Sequence, residues 1–120
     1  MSKRILVADD ALIIREIIKD RAREAGFEVV GEACNGQDAF EKFTQLRPDV
    51  TTLDLVMPEY DGLHGLREIM QADRNAKVVV VSALDQQDVL KQAFKLGAAD
   101  FVVKPFDHAN LIETLLRLLA

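Results

Sequence analysis

Ile5-Leu6-Val7-Ala8-Asp9-Asp10 runs directly into a segment, residues 11–25, whose apolar positions Ile14, Ile17, Ile18, Ala22 and Ala25 recur three and four apart. A short, unbroken apolar run reads as a strand covered on both faces, and the following period reads as a helix. The same alternation recurs down the chain. Runs at 4–8, 28–33, 49–53, 78–81 and 100–103 read as strands, and segments at about 11–25, 36–46, 63–73, 85–96 and 108–119 read as helices. Gly26 and Gly97 sit just past periodic stretches, where a left-handed residue ends a helix, and Pro58 marks the turn after the third run. Strands alternating with helices predict βαβ units and a parallel sheet, here a doubly wound α/β fold of five βα units. Glu28 and Glu32 make the second run the most mixed, as an edge strand allows.

At 120 residues the expectation is one domain spanning 1–120, long enough to bury a core without staples. The net charge of −5, with no basic cluster, argues against direct binding of nucleic acid or anionic lipid. One cysteine, Cys34, excludes an intramolecular disulfide and is expected to be a small buried or half-buried residue. No run approaches the roughly 18 apolar residues of a membrane span, and the four apolar residues after Arg4 are too few for a signal peptide, so a cytoplasmic protein is expected.

Four of the predicted strands end in residues suited to phosphoryl transfer: Asp9-Asp10, Asp54, Ser82 and Lys104. In parallel strands these endings converge on the carboxyl edge, where open α/β sheets place their ligands. Two like charges about 4 Å apart repel by roughly 4 kcal/mol at an effective dielectric near 20, so clustered carboxylates take up a proton or recruit a cation. Hard oxygen ligands with room for water and phosphate suit Mg²⁺, and no Cys/His spacing supports zinc. Asp54, alone at its strand end, is the better nucleophile; Asp9 and Asp10 are candidates for the metal, and Lys104 and Ser82 for the phosphoryl oxygens. Each residue also has a plainer reading. Asp10, Ser82 and Asp85 are possible helix caps, Lys104 an ordinary turn residue and Phe101 a core aromatic, while Lys19, Arg21, Arg23 and Glu24 read as a solvated helix face.

Taken together, Asp9-Asp10, Asp54 with Val56-Met57-Pro58 and Asp61-Gly62, Ser82-Ala83, and Phe101 three before Lys104-Pro105 resemble the receiver domains of bacterial response regulators. The resemblance covers essentially the whole chain and implies a flavodoxin-like sheet of order 2-1-3-4-5. It implies that Asp54 accepts a phosphoryl group from a sensor histidine kinase, and that Asp10, Asp54 and the Val56 carbonyl ligate Mg²⁺ while Asp9 acts through water. Ser82 and Lys104 contact the phosphoryl group, Phe101 is the switch aromatic, and the Lys104-Pro105 bond is cis. Output runs through the face of the fourth helix, fifth strand and fifth helix, with Lys91, Lys95 and Asp107 as candidates. A stand-alone, monomeric CheY-like regulator of the chemotaxis group is one implication; a receiver cut from a longer transcription regulator is the other. An aspartyl-nucleophile phosphatase lacks its Asp-x-Asp signature here, and a nucleotide or flavin site lacks its phosphate loop. Val56 and Leu84 are apolar where receivers often carry polar residues, which is expected to restrict attacking water and lengthen the phosphorylated lifetime.

Overall fold

The computed structural model describes residues 3–57, 59, 61–83 and 87–119. Strands and helices alternate in the order β1(Lys3–Ala8), α1(Leu12–Glu24), β2(Phe27–Ala33), α2(Gly36–Leu46), β3(Val50–Asp54), α3(Gly62–Ala72), β4(Val78–Ala83), α4(Gln87–Leu96), β5(Asp100–Lys104) and α5(His108–Leu118). All five strands are parallel, in the order β2-β1-β3-β4-β5. This is the doubly wound, flavodoxin-like sheet that the alternation and the resemblance imply.

The continuous apolar strands have a direct cause. Within β1, Leu6 and Ala8 pack with Phe43, Leu66 and Ile69 from α2 and α3, while Ile5 and Val7 pack with Ile18, Leu111 and Leu115 from α1 and α5. Side chains alternate across a strand, so a strand with helices on both faces needs apolar residues at every position. The same division splits Val78 and Val80 from Val79 in β4. β2 is the edge, and its acidic residues follow from that place: Glu28 is exposed, and Glu32 meets Arg15 and Lys19 of α1.

Helix ends agree with the local chemistry. Asn35, Asp61 and Asp107 each accept a backbone N–H of the helix that follows, as N-cap residues do. Gly26 and Gly97 have φ of 93° and 114°, the left-handed region expected of them. Pro58, Leu84 and Asp85 lie outside the described residues.

Several expectations need correcting, among them that Lys104 is an ordinary turn residue, since it is the last residue of β5. Cys34 is exposed, because it lies one residue past β2, where the chain has left the sheet. Lys19 is only 7% exposed rather than on a solvated face, because α1 packs against the edge strand and Glu32 draws the ammonium inward. Asp10 does not cap α1: the N-cap is Ala11 with no side-chain bond, and Asp9 accepts the Ala11 N–H instead. Ser82 is a strand residue of β4, so it caps no helix.

Candidate functional site

Strand order and register build the site. Ala8 pairs with Leu53, so Asp9, the next residue, stands beside Asp54 at the end of the adjacent strand. Asp54 pairs in turn with Val81, one residue before Ser82, and Ala83 pairs with Lys104. Residues separated by up to 95 positions in sequence thereby reach one edge. Lys104 Nζ donates to Asp9 Oδ2 at 2.9 Å and to Asp54 Oδ2 at 3.2 Å.

Glycine makes the approach of α3 possible. Gly62 is the first residue of that helix, and a Cβ there would collide with the Asp54 carbonyl oxygen and the Leu55 Cα. The Gly62 N–H donates to the Leu55 carbonyl, and the Asp61 side chain caps the helix, so the Asp61-Gly62 pair fixes the backbone behind Asp54.

Asp9, Asp10 and Asp54 each offer a carboxylate oxygen, and the three lie within 4.8 Å of one another. Asp9 and Asp54 are 1% and 5% exposed, whereas Asp10 faces solvent. Burial pushes the Asp54 carboxyl above the ordinary aspartate range, and the charge of Asp9 adds to this; Lys104 and the Val56 N–H act in the opposite direction. Burial also works against the Lys104 ammonium, yet the hydrogen bond to Asp9 and the charges of Asp54 and Asp9 outweigh it and raise its pKa. One ammonium against three carboxylates leaves two negative charges uncompensated, the charge of a divalent cation. All-oxygen donors, two of them buried and one open to water, are the donor set that Mg²⁺ takes. The cluster fits the metal.

The remaining candidates surround it. Val56 follows on the β3–α3 loop and is 51% exposed; its N–H donates to Asp54 Oδ1 at 3.2 Å. Ser82 is 2% exposed at the end of β4, and its hydroxyl donates to the Ala83 carbonyl at 3.3 Å. Phe101 is 38% exposed rather than core, with its ring edge-on to Phe94 at 5.8 Å. Between them lies an apolar cavity of about 320 Å³ lined by Ser82, Leu90, Phe94, Phe101 and Val103. The Lys104-Pro105 bond is cis. Lys91 and Lys95 are exposed on α4, whereas Asp107 is occupied as the cap of α5.

Sequence reading missed the group behind Asp9. Arg15 donates from Nη1 to the Asp9 carbonyl at 2.7 Å and from Nε to Glu32 Oε1 at 3.0 Å. Lys19 holds the other Glu32 oxygen at 2.8 Å. The available signal was Glu32 near the end of the mixed edge strand together with two cations on the buried side of α1, and only the packing of α1 on β2 joins them.

Comparison with known proteins agrees with this geometry. The family model described as "Response regulator receiver domain" matches residues 5–116. The chemotaxis protein CheY of Thermotoga maritima is 48% identical over 115 residues, covering 96% of both chains. CheY of Listeria monocytogenes is 46% identical over 112 residues, covering 93% of this chain and 94% of that one. Among solved structures, the CheX-CheY-BeF3-Mg²⁺ complex of Borrelia burgdorferi superposes with a TM-score of 0.92 at 30% identity, over 98% of this chain and 90% of that one. A five-stranded sheet of order 2-1-3-4-5, an acidic pocket at its carboxyl edge and similarity along nearly the whole chain all lead to one assignment: this protein belongs to the response regulator receiver domains, homologous to CheY, a phosphoacceptor of two-component systems.

Proposed function

We propose that residues 1–120 work as one receiver unit in which Asp54 is the phosphoacceptor. The observation that carries this is the place of Asp54: a buried carboxylate beside two others and in contact with Lys104. An Asp54 oxygen attacks the phosphorus of a kinase phosphohistidine. The new P–O bond forms as the P–N bond breaks, and the imidazole leaves with the electron pair and takes a proton. Water later cleaves the acyl phosphate and restores the carboxylate. Asp10, Asp54 and the Val56 carbonyl, with Asp9 through water, would hold Mg²⁺, whose charge would screen the incoming phosphoryl oxygens from the carboxylates. Lys104 and Ser82 meet the phosphoryl oxygens, the ammonium as a point charge and the hydroxyl as a donor. Burial of Asp9 and Asp54 strengthens these interactions because the local dielectric is low. The similar Borrelia complex, which holds beryllium fluoride and Mg²⁺, supports this reading.

The phosphoryl group adds about −1.5 to −2 charges and three acceptor oxygens, which draw Ser82 and Lys104 toward Asp54. Ser82 lines the same cavity as Phe101, so movement of the β4 end opens room for the aromatic ring to swing inward. Phe101 has no hydroxyl, so apolar burial drives its movement. Going from 1:99 to 99:1 takes about 5.5 kcal/mol, within reach of a few charge-assisted hydrogen bonds of roughly 1.5–3 kcal/mol each. The surface of α4, β5 and α5 then changes shape for a downstream protein, in chemotaxis by analogy with the CheY relatives. The protein acts as a cytoplasmic, monomeric switch rather than on an external substrate, and it inserts in no membrane; no described helix is long and apolar enough to cross one.

Acetyl phosphate and Mg²⁺ test the assignment. Intact mass should show one added phosphoryl group on the parent and none on Asp54→Ala, and chelation of Mg²⁺ should prevent labelling. Equal labelling of Asp54→Ala overturns the assignment of Asp54. Repeated turnover of unrelated phosphomonoesters overturns the regulatory reading.

A further inference from the structure

Asp9 is tied to the edge strand through both of its peptide groups. Its N–H donates to the Ala33 carbonyl at 3.0 Å, and its carbonyl accepts Arg15 Nη1 at 2.7 Å. The second connection is built with care: Nε of the same guanidinium is held by Glu32 Oε1 at 3.0 Å, and Glu32 Oε2 is held by Lys19 at 2.8 Å. Lys19 is itself paired with Glu16 at 2.7 Å, and the Lys42 ammonium donates to the Glu32 carbonyl. The side chains of Arg15 and Lys19 are 16% and 9% exposed and that of Glu32 is 37%, so the two cations are largely buried while the carboxylate they share keeps one side open to solvent.

The carbonyl that Arg15 holds belongs to the peptide joining Asp9 to Asp10, so its orientation sets the direction in which both carboxylates leave the backbone. A guanidinium is a rigid plane, and fixing one edge on Glu32 fixes where the other edge meets that carbonyl. We infer that Arg15 is a positioning residue for the metal site, holding the Asp9–Asp10 peptide in its ligating orientation, with Glu32 and Lys19 orienting Arg15. The inference rests on the Mg²⁺ reading given under Proposed function. Outer-shell groups that orient metal ligands typically change metal affinity by tenfold or more when removed.

Charge and positioning make opposite predictions, which makes the inference testable. Removing a cation near an acidic pocket tightens Mg²⁺ through Coulomb attraction, whereas releasing the peptide weakens it. The measurement is an amide NMR titration of the unphosphorylated full chain with MgCl2 alone, for the parent, Arg15→Met, Arg15→Lys, Glu32→Gln, the Arg15→Met/Glu32→Gln double variant, and Arg23→Met as an exposed control on the same helix. Arg15→Met and Arg15→Lys should both bind Mg²⁺ about tenfold more weakly, because a lysine keeps the charge but cannot span Glu32 and the Asp9 carbonyl with one plane. Arg23→Met should bind as the parent does. Glu32→Gln should weaken binding in the parent background and add nothing to Arg15→Met, since its effect passes through Arg15. Arg15→Met binding as tightly as the parent or tighter, or Arg15→Lys matching the parent, overturns the inference. Where Arg15→Met does not fold, Arg15→Lys decides. A parent that shows no saturable response at Asp9, Asp10 and Asp54 fails the metal reading itself, a result distinct from an unaffected Arg15 variant.

Discussion

Replacing Asp54 by Asn should make the Mg²⁺-free protein more stable at neutral pH, although Asp54 is the proposed phosphoacceptor. Lys104 Nζ at 3.2 Å attracts the ionised carboxylate by about 5 kcal/mol at an effective dielectric near 20. Asp9, with an oxygen within 4.8 Å, repels it by about 3.5 kcal/mol on the same scale, and the exposed Asp10 by about 1 kcal/mol through water. The Coulomb contributions nearly cancel, so the desolvation of a carboxylate that is 5% exposed decides the sign. The amide keeps an acceptor for Lys104 and for the Val56 N–H without the buried charge. The expected gain is on the order of 1 kcal/mol, or a melting midpoint roughly 3–6 °C higher for a chain of this length.

The pH dependence carries the sign. Burial, then Asp9, raises the folded pKa of Asp54 above its ordinary value of about 3.8, so between these two values the folded chain binds more protons than the unfolded chain. The parent therefore loses stability as pH rises through that window, and the loss is complete above the folded pKa. The advantage of Asn should grow as pH rises above about 3.8, be full above the folded pKa, and vanish below about 3.8. Saturating Mg²⁺ should reverse the ranking: a ligand at 100 times its Kd stabilises by about 2.7 kcal/mol, and the variant lacks one of the three carboxylates proposed to hold the metal. Thermal melts followed by circular dichroism, in chelator and in Mg²⁺ across pH, measure all three effects. A variant less stable than the parent in chelator at neutral pH, or a pH profile parallel to that of the parent, refutes the reasoning.

Gly62→Ala should destabilise the fold by about 1–3 kcal/mol and weaken Mg²⁺ binding together, because its Cβ would meet the Asp54 carbonyl and the Leu55 Cα, which are backbone atoms that cannot rotate away; chemical denaturation and the Mg²⁺ titration check it, and an unchanged midpoint contradicts it. Val56→Asn should speed loss of the phosphoryl group several-fold, since Val56 is 51% exposed beside Asp54 and a polar side chain there orients the attacking water. The decay of the phosphorylated mass after removal of acetyl phosphate measures it, and an unchanged rate removes the idea. The companion position Leu84 lies outside the described residues.

Amino-acid order alone was enough for the alternation of strands and helices, while the strand order came from the resemblance to receiver domains. Val78 to Val81 is apolar at every position because helices cover both faces, and Gly26 and Gly97 stop helices because their φ values of 93° and 114° suit glycine. The convergence of the candidate site residues was legible for a related reason: in a parallel sheet each strand ends at the same edge, so Asp9, Asp54, Ser82 and Lys104 come together wherever their strands form. What sequence could not supply was pairing across elements. Periodicity marks Lys19 as polar and therefore solvated, but α1 lies on the edge strand and Glu32 pulls the ammonium inside. It marks Phe101 as a core aromatic, but the ring stands partly open beside Phe94 over a cavity that also reaches Ser82. Which carboxylate closes a turn follows from the folded backbone: Asp9 accepts the Ala11 N–H at 2.9 Å, and Asp10 is exposed to solvent. Local pattern fixes elements and their ends because it acts between near neighbours in the chain. Partnerships such as Arg15 with the Asp9 carbonyl and Glu32 come into being only when burial brings separate elements close enough for hydrogen bonds to choose among them.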